Sequence, residues 1–212
     1  MATASRAQRK QQTRRKILDA ALQVFAEVGF EAASLAAIAK RCGVQKALVQ
    51  YHFETKDKLW KAAIGQLWAE LRDALPNYLR QPAGADHKSM TQQSDIRRLF
   101  KQIILFARDH PAWVGIMFRE ASAPGPRLDW LVEHYLQQDF ADGTRFIELA
   151  QQHGLLPRAP AIHLLHIISG ALTYALYVAP LTHKVTGIDM ASEQSLDTLV
   201  DTLMLLLRGD RP

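Results

Sequence analysis

SLAAIAKRCGVQKALVQYHF, residues Ser34 to Phe53, decides how the rest of the chain is read. It divides into two short helices around a tight turn. Ser34 can cap the first, because a serine oxygen accepts from the unpaired amides of a first helical turn. Leu35, Ile38, Ala39 and Cys42 follow at the i, i+3, i+4, i+7 spacing of one apolar stripe. Gly43 then turns the helix end through positive φ. Val44 is the peg of the turn, and a second helix is predicted from about Gln45 to His52. Two short helices set at a steep angle by a glycine-containing turn form a helix-turn-helix unit.

Advancing 100° per residue from Val49 puts Phe53 beside it on the inner face, with Lys46 and His52 on the flanks. Ala47 and Tyr51 lie opposite, bordered by Gln50 and Leu48. A small residue at the closest approach lets such a helix sink into a major groove. Tyr and Gln carry donors for phosphates and base edges, and Leu48 suits a thymine methyl. A plain helical hairpin with a polar outer face has the same pattern, so the flanks must decide.

On the N-terminal side, Ile17, Ala21, Val24, Phe25 and Val28 give a helix stripe ending at Gly29. On the C-terminal side, Thr55 caps a helix with Asp57 in its first turn, where a carboxylate suits the positive end of the dipole. Trp60, Ala63, Ile64, Leu67, Trp68 and Leu71 continue that helix, which reads as a connecting rod to the remainder of the chain. Both tryptophans are expected in the core.

Thr13 to Ile64 resembles the DNA-binding domain of TetR-type transcriptional repressors. The resemblance rests on Thr13-Arg14, Ile17 to Ala21, Phe25-Ala26, Gly29-Phe30, Ser34-Leu35, Ile38-Ala39, Gly43-Val44, Tyr51-His52-Phe53 and Lys56 to Leu59. It implies groove-reading positions at Gln45, Lys46, Ala47, Leu48, Gln50 and Tyr51, with His52 and Lys56 on the DNA backbone. Ser34 joins this DNA-facing set, and Arg14 and Arg15 would anchor phosphates together with Lys46 and Lys56. Many relatives have Ser or Thr where Gln45 stands, and Tyr where Gln50 stands.

The 212 residues allow one domain or two small ones, with 48% hydrophobic and 22% charged residues, as in an ordinary globular protein. The net charge of +5 favours polyanionic partners. Arg6, Arg9, Lys10, Arg14, Arg15 and Lys16 crowd the start of the chain. Beside a helix-turn-helix they read as an arm for phosphate or the minor groove, or, before Gln11, as a solvated tail. One cysteine excludes an internal disulfide and fits a reducing, cytoplasmic setting. No secretory leader pattern is seen at the start, and the most apolar run, Ile162 to Leu181, is too interrupted for a membrane span.

The domains are expected at 11–71, for DNA binding, and 72–212, for effector binding and dimerisation. Gln81 to Ser94 reads as a polar link. Helices are predicted from about Asp95 to His110, from Ala112 to Glu120, as a long helix or broken pair from Leu128 toward Gly154, from Ala161 to Val178, and from Ser192 to Arg208. Strand alternation is absent, so the chain is all-α: a three-helix helix-turn-helix domain followed by a larger helical domain.

The last two helices carry more apolar surface than one packing partner requires. Leu164, Ile168, Ala171, Ala175, Leu196, Leu199, Val200 and Leu203 are therefore expected at a homodimer interface built as a four-helix bundle, an arrangement the resemblance also implies. Trp113, Met117, Phe118, Tyr135, Phe140, Tyr174 and Tyr177 combine apolar bulk with polar tips and are candidates to line an effector pocket.

No phosphate-cradling loop, nucleophile elbow or HExxH motif is present. His163 and His166 share a helix face, but no cysteine or carboxylate stands between them, so neither a metal nor a cofactor is expected. Glu120, Asp129, Glu133 and Asp139 read equally as paired carboxylates or surface charges. The expected function is a homodimeric repressor that binds a roughly palindromic double-stranded operator and is released by a small, largely apolar or aromatic effector. A small all-α enzyme using the central pocket, or a helical protein–protein adaptor, is the alternative.

Overall fold

In the computed structural model, which describes residues 5–76, 79 and 92–208, the first helix starts earlier than a solvated tail would allow. Helix α1 (Arg6–Ala32) opens with a capping box. Ser5 Oγ accepts from the Gln8 amide at 3.2 Å, and Gln8 Oε1 accepts from the Ser5 amide at 2.6 Å. The basic residues from Arg6 to Lys16 thus lie on a helix. Gly29, at φ 78°, kinks its last turn. A Cβ there would stand 2.9 Å from Arg119 Nη1, so glycine serves both the backbone and the neighbour. Val28, expected in the buried stripe, is 47% exposed and directly precedes that kink.

Helices α2 (Leu35–Cys42), α3 (Lys46–Phe53) and α4 (Lys56–Ala74) follow. Ile17, Phe25, Ile38, Val49, Leu59 and Trp60 from these four helices are buried in one core. That core also takes in Phe106, Ile116 and Leu131 from further along, so the front of the molecule is packed onto the middle.

Then come α5 (Gln93–Asp109), α6 (Pro111–Ala121) and α7 (Pro126–Leu131), a π-helical turn Val132–Leu136, α8 (Gln137–Gln152), α9 (Ala161–Tyr177), α10 (Ala179–Thr186) and α11 (Glu193–Leu206). The sequence pattern misses α10. Pro180 lacks the amide to continue α9 but suits the first turn of a new helix. Gln81 to Thr91 of the expected link lie outside the described residues, while Gln93 and Ser94 already belong to α5. A second core joins α5, α8, α9 and α11 through Phe100, Ile104, Ile147, Leu164, Leu172 and Val200. Arg97 and Lys101 of α5 pair with Asp197 and Asp201 of α11 on its surface. No strand occurs among the described residues, and no single described helix is long and apolar enough to cross a membrane.

Candidate DNA interface and ligand cavity

Ser34 Oγ accepts from the Ala37 amide at 3.1 Å and starts α2, and Gly43, at φ 70°, ends it. The Val44 amide donates to Ala39 O at 3.0 Å, which closes the turn before α3. Gln45 caps α3 by backbone conformation alone, without a side-chain bond. Val49 and Phe53 are buried and fix the inner side of α3. Lys46, Ala47, Leu48, Gln50 and Tyr51 are exposed on the other side, Tyr51 by 69%. Among the described residues, only Lys10 of α1 leans over that side, at Tyr51.

Lys10 and Arg14, one helical turn apart on α1, lean over α3. Lys10 Nζ lies 5.4 Å from the Tyr51 ring centre, and the Arg14 guanidinium lies 5.2 Å from that of Phe53. His52, half-buried, has its pKa lowered by burial and then by the charges of Lys10 and Arg14. The lowered pKa favours its neutral form.

Two expected phosphate contacts, Arg15 and Lys56, need correction. Arg15 sits one residue round from Arg14 and points to α4, with Nη2 3.4 Å from Glu70 Oε1. Lys56 Nζ donates to Phe30 O at 2.7 Å, Ala33 O at 3.0 Å and Glu31 O at 3.2 Å, and it covers the Phe30 ring. It closes the C-terminus of α1, where carbonyls are otherwise unpaired. The Ser34 oxygen accepts at its cap, while its O–H remains a donor. Lys10, by contrast, was legible only as one of six basic residues; its place over α3 follows from helix phase once α1 extends to Arg6.

A cavity of about 470 Å³ opens among α4, α5, α8 and α9. Of the seven expected pocket residues, Trp113 and Tyr135 line it. Met117 packs into the first core. Phe118 stacks on Tyr177 at 4.6 Å, Phe140 leans on His166, and Tyr174 is more than half exposed, so these lie outside this cavity; Tyr177, also half exposed, lines a second hollow of about 480 Å³ among α1, α5, α6 and α10. The wall comes instead from residues such as Trp68, Leu99, Phe100, Ile147, Leu165 and Leu172, with Arg72, His134, Gln138, Asp139 and Asp142.

Trp68 is 1% exposed, as a core residue would be, yet its indole forms part of this wall. Its Nε1 donates to Asp139 Oδ2 at 2.8 Å, and its ring stacks on Tyr135 at 4.9 Å. Solvent reaches Asp139 through the open cavity, but the protein atoms packed around its carboxyl displace hydration. That burial raises its pKa above the ordinary carboxylate range, and the Trp68 hydrogen bond only partly offsets it.

Between cavity and DNA-binding helices runs a chain of rings. Trp130 meets Tyr135 and Trp60, each at 5.5 Å, and Trp60 meets Phe30 at 6.3 Å. Arg127 closes the chain. Its Nε donates to both oxygens of Glu120, its Nη1 donates to Glu31 at 2.9 Å, and its guanidinium covers Phe30 at 4.5 Å. Glu120, readable from sequence as a surface charge, is buried here beside its arginine.

The dimer residues also need correction. Leu164, Ile168, Leu196, Val200 and Leu203 are at most 5% exposed and belong to the chain's own second core; Ala171 and Leu199 pack against it. Ala175 is half-buried. Both helices are apolar on more than one side, and the pattern cannot say which side faces inward. Outward stand Ile167, Gly170 and Tyr174 on α9, and Thr198, Thr202 and Leu205 on α11, with Ile167 56%, Tyr174 57% and Leu205 62% exposed. A Cβ on Gly170 would meet nothing within 4 Å. His163 is exposed on this helix, and His166 Nδ1 lies 2.8 Å from Ile162 O.

Known proteins resemble both the sequence and this geometry. The family model described as bacterial regulatory proteins, tetR family, matches residues 17–63. The HTH-type transcriptional regulator BetI of Escherichia coli (strain SMS-3-5) is 38% identical over 149 residues, which cover 70% of this chain and 72% of that protein. BetI of Escherichia coli O127:H6 is 35% identical over 78 residues, 36% of this chain and 40% of that one. Among solved structures, HlyIIR, a hemolysin II transcriptional regulator, superposes with TM-score 0.71 at 20% identity, covering 94% of this chain and 98% of its own. AibR in complex with isovaleryl coenzyme A and operator DNA gives TM-score 0.70 at 16% identity, covering 92% and 98%. At these identities the structures share the fold.

Proposed function

The chain belongs to the TetR family of bacterial regulatory proteins, and we infer that it regulates transcription as a homodimeric repressor. Each subunit inserts the bare side of α3 into a major groove of a roughly palindromic operator, with half-sites about 34–36 Å apart or a multiple of that distance. The observation that carries this reading is the uncovered surface of Lys46, Ala47, Leu48, Gln50 and Tyr51, flanked by Lys10 and Arg14. Those cations anchor phosphate while the α3 side chains meet base edges. The exposed strip of α9 and α11 pairs with its symmetry mate as a four-helix bundle.

The cavity is the effector site. AibR, bound to both isovaleryl coenzyme A and operator DNA, supports a fold that holds a small molecule and DNA together. Effector binding favours subunit poses in which the two α3 helices no longer match the DNA spacing, provided its affinity differs between the poses. The ring chain from Tyr135 to Phe30 and the Arg127 bridge supply the physical link.

The test is salt dependence. Lys10→Ala should reduce the slope of log affinity against log salt by about 2 per dimer, since each subunit loses one phosphate contact. Sequence preference should stay as it was. An unchanged slope would remove Lys10 from the interface.

A further inference from the structure

Asp139 and Asp142 lie on one side of α8, three residues apart, and both line the cavity. Their surroundings differ. Asp142 is held by Arg145, which also donates to Leu79 O at 3.1 Å. Asp139 accepts from the Trp68 indole, a neutral donor, and no ion pair holds it among the described residues. Arg72 and His134 also line the cavity; Arg72 acts on Asp139 through its charge, but burial and the Asp142 charge act in the opposite sense, burial most strongly. Beside this carboxylate stand the stacked rings of Trp68 and Tyr135, whose faces attract cations. The remainder of the wall is mostly aliphatic and aromatic.

We propose that the cavity holds a protonated lipophilic amine, its nitrogen seated at Asp139 near Tyr135 and its hydrocarbon body among Leu75, Ile103 and Leu165, the apolar lining residues that are partly exposed. This rests on the cavity being the effector site. An ammonium gives the Asp139 carboxylate an ion-pair partner, which no described residue supplies, and donates a charge-assisted hydrogen bond that an alcohol cannot match. A carboxylate of equal chain length would meet Asp139 as a like charge. The cavity volume, about 470 Å³, falls in the range of small-molecule sites.

Three probes with one chain length separate these cases: decylamine, 1-decanol and decanoate, each below its micelle concentration. Binding to the protein is followed by calorimetry and by tryptophan fluorescence, to which Trp68 and Trp113 of the wall contribute. Decylamine should bind about tenfold tighter than the other two, equivalent to one charged hydrogen bond. Asp139→Asn keeps an acceptor for the Trp68 N–H, so the fold should be retained, as a melting curve will check. It should bring decylamine down to the affinity of decanol and leave decanol unchanged. Equal binding of all three, tightest binding of decanoate, or unaltered decylamine binding by Asp139→Asn would overturn the amine seat. Operator release is read separately. Asp139-dependent binding that leaves DNA bound upholds the seat and overturns the effector reading, and no binding of any probe overturns both.

Discussion

Replacing Arg127 with alanine is expected to lower folding stability by about 3 kcal/mol, because it strands a buried carboxylate. The Glu120 side chain is 6% exposed and both of its oxygens accept from Arg127 Nε. Solvent cannot replace that partner at such burial. The same substitution removes the Glu31 ion pair, which contributes little because Glu31 is 81% exposed, and uncovers the Phe30 ring. A chain of this size should melt about 6–12 °C lower. The double variant Arg127→Met with Glu120→Leu should recover most of the loss, since an apolar pair of similar volume leaves no buried charge. Arg127 also ties α7 to the end of α1, so this double variant should fold yet respond more weakly to effector. An unaltered melting temperature for Arg127→Ala would show that Glu120 finds another partner.

Ile167→Glu combined with Leu205→Glu is expected to turn the dimer into a monomer and to abolish operator binding at concentrations where the parent protein saturates it. Both side chains are more than half exposed in the single chain, so the substitution should leave the fold of each subunit intact. In a two-fold bundle the substitution adds four carboxylates to one apolar seam, and burying charges without partners costs several kcal/mol. One subunit can then engage only one half-site. Sedimentation should show the mass of a single chain. A variant that remains dimeric would move the interface elsewhere, for instance toward the exposed Leu181 and Val185 of α10.

The front of the molecule was legible in the sequence because its signals are local. Ser34, Gly43 and Thr55 act within a turn of their own position, and the structure shows each at its expected cap. Sidedness on α3 was equally readable, since Val49 and Phe53 are its only large apolar residues apart from Leu48 and Tyr51. The later helices were harder for a physical reason. With apolar residues nearly all round α9, periodicity cannot tell the inward Leu164–Ile168–Leu172 row from the outward Ile167–Tyr174 row. The cavity was hardest, as its wall joins residues from α4, α5, α8 and α9 that no spacing relates. Trp68 and Asp139 stand 71 positions apart and meet only through the fold. Lys56 shows the reverse error: it fits the motif by position, but its ammonium is held by the carbonyls of Phe30, Glu31 and Ala33 at the end of α1.

The central claim is that the outward side of α3 reads duplex DNA. Its most direct test is to let the purified protein select fragments from its own genome, sequence them, and repeat the binding with Tyr51→Ala. The account predicts a small set of fragments sharing a roughly palindromic site, and a marked loss of binding to them by Tyr51→Ala at unchanged melting temperature, since Tyr51 is 69% exposed. Fragments no different from the input DNA, or a Tyr51→Ala variant that binds the selected site as tightly as the parent, would contradict it.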